Sequence, residues 1–385
     1  MKIVFDFRRI FAWILGLVFV YSGISKLMDP VGTSYIMKEY FHFLHLSFLD
    51  GAALTLGVLF SLFEAILGIA LTTGIFRRIT VWTTCILLGF FLILTFALLI
   101  VNPTMDCGCF GESTHLSHFD TFAKNIFLVL LAVCAWAGKK NFGQPKLRKY
   151  FAAGISLTAV LIFTAVSLIG LPLRDYTDYA DGNKLLSADP YATLRKTQRT
   201  TMFYYEKDSV RQGFDRPVRP DSSWRFAGMK QELKRWDEPA ADLPLHDNEG
   251  TTMDGLLIDG PVMVVSLYEK PGEKKWGKVC QFARDAQEAG FGCVVVANER
   301  YYNDFPLYLS DAKTLSTFNR SNGGVTYLYD GEIIAKWSYT FRPGRQELEE
   351  MMQKDYVEIL ADVNGARERR MEGFSLFLLA VLLLI

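Results

Sequence analysis

Cys107 and Cys109 are the residues whose type and spacing most directly imply chemistry. They lie one residue apart in Asn102-Pro103-Thr104-Met105-Asp106-Cys107-Gly108-Cys109-Phe110-Gly111-Glu112. Gly108 lets the backbone turn where a side chain would clash, so both sulfurs can point the same way. A disulfide closed across a single residue is strained, and strained bridges tend to be the labile or catalytic ones. Three readings stay open. The pair is a redox-active dithiol, a static disulfide that shapes the loop, or half of a metal site completed by His115 and His118. The last matches none of the common zinc spacings.

The elements that must position this loop are apolar. Runs of such residues cover roughly 10–28, 52–76, 79–101, 119–138 and 151–171. Each has about the 20 residues that a helix needs to cross a hydrocarbon core of ~30 Å. Five crossings are therefore expected, and the partner of this half is the lipid bilayer. The chain is 50% hydrophobic with thirty Phe, yet 21% charged, so a water-soluble part must follow the membrane part. Net charge is zero and no basic patch interleaved with aromatics occurs, which argues against a nucleic-acid partner.

Basic residues set the expected orientation. Lys2, Arg8 and Arg9, then Arg77 and Arg78, then Lys139, Lys140, Lys146, Arg148 and Lys149 all fall on one side of the five crossings. The 102–118 loop has no Lys or Arg. The amino terminus is thus expected in the cytoplasm, with the Cys107/Cys109 loop and the chain from residue 172 onward outside.

Lys26 and Glu64 are ionisable residues within the first two apolar runs. Glu64 lies deep in the second run, and an intramembrane carboxylate faces the bundle interior and finds a partner. Gly57, Ser61, Glu64 and Gly68 share one helical face, while Ala53, Gly57, Ser61 and Ala65 form a small-residue stripe for close packing. Ser22 and Lys26 are four apart on the first helix, and Lys26 is within reach of Glu64. The pair is either a structural ion pair or a proton or substrate site. For Lys26 alone, snorkelling to the outer interface is the expected choice. Cys85 and Cys134 read as packing residues.

The strings Gly16…Tyr21-Ser22-Gly23-Ile24-Ser25-Lys26-Leu27, Glu64 with Gly68, and Asp106-Cys107-Gly108-Cys109-Phe110-Gly111 resemble the DoxX-like membrane proteins, most of all their MauE branch. The resemblance covers about residues 8–138. It implies a four-helix unit in the bacterial cytoplasmic membrane, linked to periplasmic redox or protein maturation, and by the same resemblance a quinone as cofactor. Residues alone identify no flavin or nucleotide motif.

Four segments are expected: a membrane bundle over 1–172, a Tyr-rich connector with a β-hairpin over 173–240, an α/β domain over 241–345, and an amphipathic helix with a short apolar tail over 346–385. In the third, Val262–Leu267 and Cys293–Ala297 read as buried strands around the helix 274–289, before a hairpin over 324–337. This order resembles the thioredoxin-like fold. The position of the Cys-x-x-Cys in that fold here reads Tyr268-Glu269-Lys270-Pro271-Gly272-Glu273-Lys274, and Val325-Thr326 replaces its cis-proline. The domain is therefore expected to bind a periplasmic thiol protein or client without dithiol chemistry of its own. Cys280 and Cys293 read as core thiols, with a disulfide between them as the lesser alternative. Phe374–Ile385 is too short to span, and reads as a truncated sixth crossing or a tail dipping into the outer leaflet. Function remains open among a thiol–disulfide redox protein, a non-enzymatic scaffold and a quinone-linked oxidoreductase subunit.

Overall fold

Among the residues described by the computed structural model, five helical spans are long and apolar enough to cross a membrane: Phe7–Met28, Ser47–Thr73, Arg77–Val101, His118–Trp136 and Leu147–Ile169. The structure describes residues 7–103, 108, 117–136, 145–185, 199–207, 210–214, 225–233, 242–247, 249–302 and 305–384.

The first span is α1 (Phe7–Met28). A shorter helix, α2 (Pro30–Phe43), follows at once and was not expected from the sequence. Asp29 caps it by accepting the Gly32 amide at 2.8 Å, and Pro30 occupies the first turn, where a missing N–H costs nothing. A 3₁₀ turn over Ser47–Ala52 leads into α3 (Ala53–Thr73). Then come α4 (Arg77–Val101), α5 (His118–Trp136) and α6 (Leu147–Ile169).

α1 and α3 pack almost backbone to backbone. A Cβ on Gly23 would stand 2.6 Å from the Ser61 carbonyl oxygen, and one on Gly68 would stand 2.6 Å from that of Gly16. Hydrocarbon gives helices no hydrophobic reason to associate, so small residues that admit close contact decide which helices pair. Cys85 and Cys134 point away from this packing, on exposed faces of α4 and α5, which corrects their expected role.

Beyond α6 the chain forms two sheets. β1 (Arg199–Lys207), β2 (Val210–Phe214) and β3 (Arg225–Leu233) make an antiparallel sheet in the order β2-β1-β3. The larger sheet contains β4 (Pro261–Leu267), β5 (Gly292–Ala297), β6 (Tyr308–Leu309), β7 (Gly324–Tyr329) and β8 (Glu332–Trp337). Its order is β6-β5-β4-β7-β8, parallel from β6 to β4 and antiparallel beyond. Met263, Val265 and Leu267 face α7 (Glu273–Glu288), whereas Val262 and Val264 pack on Leu243, Leu245 and Leu257. Covering both faces explains the uninterrupted apolar run of β4. α8 (Ala312–Phe318) connects β6 to β7, and α9 (Arg345–Gln353) follows the sheet.

The expected amphipathic helix breaks after α9 at 354–355, and its second part runs on without interruption into the apolar tail. α10 (Tyr356–Leu384) runs 29 residues. Tyr356 stacks on Tyr329 of the sheet, and Phe374 stacks on Phe163 of α6 with centroids 4.6 Å apart. The polar stretch 361–372 interrupts the apolar pattern but not the helix, because its side chains lie where the helix passes from one packed body to the other.

Three polar contacts seat the α/β domain on α2. Arg320 Nε meets Asp29 Oδ2 at 2.9 Å, with both side chains largely buried. The Ser316 hydroxyl donates to Tyr35 Oη at 2.7 Å, and Lys313 lies 3.7 Å from Glu39.

Candidate functional site

Lys26 and Glu64 meet inside the bundle. Lys26 Nζ stands 2.6 Å from Glu64 Oε2, with the Glu64 side chain 1% exposed and that of Lys26 10%. The Ser22 hydroxyl donates to the same carboxylate oxygen at 3.0 Å, and Lys26 donates to Ser22 Oγ at 3.3 Å. Lys26 Nζ also lies 5.5 Å from the centroid of the Phe60 ring. The expected snorkelling of Lys26 does not occur. The close α1–α3 contact brings the ammonium within hydrogen-bond distance of a buried carboxylate, which is a better partner than the interface.

This cluster forms one wall of a cavity of about 260 Å³ between α1, α2, α3, α4 and α5. Phe19, Ile36, Met37, Phe60, Phe91 and Leu128 are among its apolar lining residues. Thr95 and Asn125 add a second polar pair, joined at 3.1 Å, and Lys124 lies beside them.

Gly108 also lines the cavity. Its φ is +56°, the left-handed region that favours glycine, and a Cβ there would collide with the side chain of Ile36 on α2. The residue between the two cysteines thus has to be glycine for two independent reasons. Cys107, Cys109 and His115 themselves lie outside the described residues. His118, the remaining member of the metal alternative, begins α5, with its Nε2 2.9 Å from the Pro103 carbonyl oxygen.

In the α/β domain, the turn after β4 carries no thiol. Cys280 and Cys293 pack in the core around α7. Cys293 is a free thiol, so no Cys280–Cys293 disulfide forms, and burial pushes its pKa up to about 12. Such a thiol is almost wholly protonated at neutral pH and a poor nucleophile.

The sequence carried no signal for the cavity itself. Its signal for α2 lay in Asp29-Pro30, a cap followed by proline, and in apolar residues at 36, 37, 40, 41 and 44.

Apolar spans around an internal polar cluster, followed by an α/β domain, define a multi-pass membrane protein with an extramembrane module. Residues 5–138, which hold the first four spans, match the model of the family described as methylamine utilisation protein MauE, so this part of the chain is similar to that family. No curated protein matches the chain, and no solved structure does.

Proposed function

We propose that the protein is a thiol–disulfide redox protein of the bacterial cytoplasmic membrane, with Cys107 and Cys109 as the reacting pair. The observation that carries this reading is the position of Gly108 in the wall of a largely apolar cavity that also reaches the Lys26–Glu64 pair. A strained disulfide in this loop oxidises a periplasmic dithiol. One thiolate of the client attacks a loop sulfur and forms a mixed disulfide, and its second thiol then resolves it. The loop S–S bond breaks, a client S–S bond forms, and two electrons and two protons pass to the loop.

The cavity's chemistry fits the quinone that the family resemblance implies, because apolar walls suit a ring and the Lys26 ammonium can donate to a carbonyl oxygen. A bound quinone would supply a two-electron acceptor there. The βαβ unit and terminal hairpin of the larger sheet support a thioredoxin-like reading of the α/β domain. With no thiol in the turn after β4, Cys280 buried and Cys293 half-buried, that domain acts by binding and not by exchange.

Mass tagging with a maleimide in intact membranes tests the proposal. The loop cysteines should be a mixture of thiol and disulfide that shifts with periplasmic oxidant supply, and Cys107→Ser should trap a client through Cys109. A pair that stays oxidised under every condition and traps nothing would make the loop disulfide structural and the protein a scaffold.

A further inference from the structure

α2 is the only described element that touches the α/β domain, the cavity and Gly108 together. At ~100° per residue, Tyr35 and Glu39 fall about 40° apart on one face, while Met37, Tyr40 and Leu44 fall on the other. The contacts follow that division. Asp29, Tyr35 and Glu39 hold Arg320, Ser316 and Lys313 of the domain. Thr33, Ile36, Met37, Tyr40, Phe41 and Leu44 line the cavity. Ile36 is also the side chain against which Gly108 rests.

The domain grips α2 with a particular edge. Gly324 pairs with Ser266 near the carboxyl end of β4, and Arg320 precedes it by one short loop. The Tyr268 hydroxyl, just beyond β4, donates to the Arg320 carbonyl at 2.9 Å. Carboxyl ends of parallel strands are where α/β sheets ordinarily present their binding crevice. In this chain the side of that edge formed by the end of α8 and by Arg320 is turned onto α2.

We infer that the α/β domain is a built-in latch on the intramembrane cavity, holding α2 closed over it with Ile36 against Gly108. The inference extends the proposed function by naming what controls access to that site. A client that engages the domain near Arg320 would loosen α2 and open the cavity at the moment of exchange.

The test uses the full chain with Cys107→Ser and Cys109→Ser, so its outcome does not depend on the redox reading. Met37→Cys reports the cavity face of α2, and Cys134 on the outer face of α5 reports the integrity of the bundle. Arg320→Met keeps an unbranched side chain and removes its charge, without disturbing the Asp29 cap of α2. Labelling of Met37→Cys by a small maleimide should speed up about tenfold or more, while labelling of Cys134 is unchanged. Tyr35→Phe with Ser316→Ala removes a single contact and should give a smaller increase in the same direction; it decides the matter if Arg320→Met does not accumulate. An unchanged rate at Met37→Cys, or a rise matched at Cys134, would overturn the latch.

Discussion

Replacing Glu64 with leucine leaves the Lys26 ammonium buried with its carboxylate gone, and also removes the acceptor of the Ser22 hydroxyl. Breaking a buried pair by deleting one partner typically costs about 3–5 kcal/mol, whereas replacing both by apolar residues of similar volume is often neutral or stabilising. Glu64→Leu and Lys26→Met should therefore each destabilise the bundle by about 3–5 kcal/mol. At ~2–4 °C per kcal/mol for a unit of this size, each lowers the midpoint of thermal inactivation by about 6–20 °C. The double variant should recover to within ~1 kcal/mol of the parent, so that the two substitutions are strongly non-additive. The assay is the fraction of monodisperse protein left after heating in detergent, read by size-exclusion chromatography. A double variant that loses as much as the two singles summed would refute the reasoning, and would mean that each side chain finds its main partner elsewhere.

The other predictions concern packing, pH, thiols and topology. Gly68→Leu should abolish accumulation in membranes, because its Cβ alone would stand 2.5 Å from the Val20 backbone nitrogen; immunoblotting of membrane fractions checks this. Burial raises the Asp175 carboxyl, but Lys336 at 2.8 Å and the Thr177 hydroxyl and amide outweigh it and hold it below the ordinary carboxylate range. Its stabilisation is present above the ordinary value of about 3.9 and lost as pH falls through the lowered one, so Asp175→Asn should weaken resistance to proteolysis at neutral pH and flatten the acid limb. Cys293 should resist iodoacetamide until the protein is denatured, as intact-mass measurement will show. In sealed cells, His115→Cys should react with an impermeant maleimide while Gly143→Cys should not.

Much of the bundle was legible because apolar length and buried charge are local signals. A carboxylate at Glu64 within an apolar run demands a partner, and the spacing of Ser22 and Lys26 offered one. Ser61 and Ala65, on which Gly23 packs, were visible within a small-residue stripe. α2 was not recognised because a helix of 14 residues between spans resembles a loop when length is judged against membrane thickness. α10 was divided because its composition changes midway, although a helix needs only continuous backbone bonding. The cavity depends on five helices meeting, and no single stretch encodes it.

Among the described residues, the α/β domain is joined to the bundle through the segment after α6, where Asp175 pairs with Lys336; α2, where Asp29 pairs with Arg320; and α10, where Phe374 stacks on Phe163. Loss of any one of these attachments leaves the other two in place. Releasing the α2 attachment therefore does not free the domain to swing. If the Arg320 edge leaves α2 as proposed above, the two remaining attachments would keep it near its seat and let it return there.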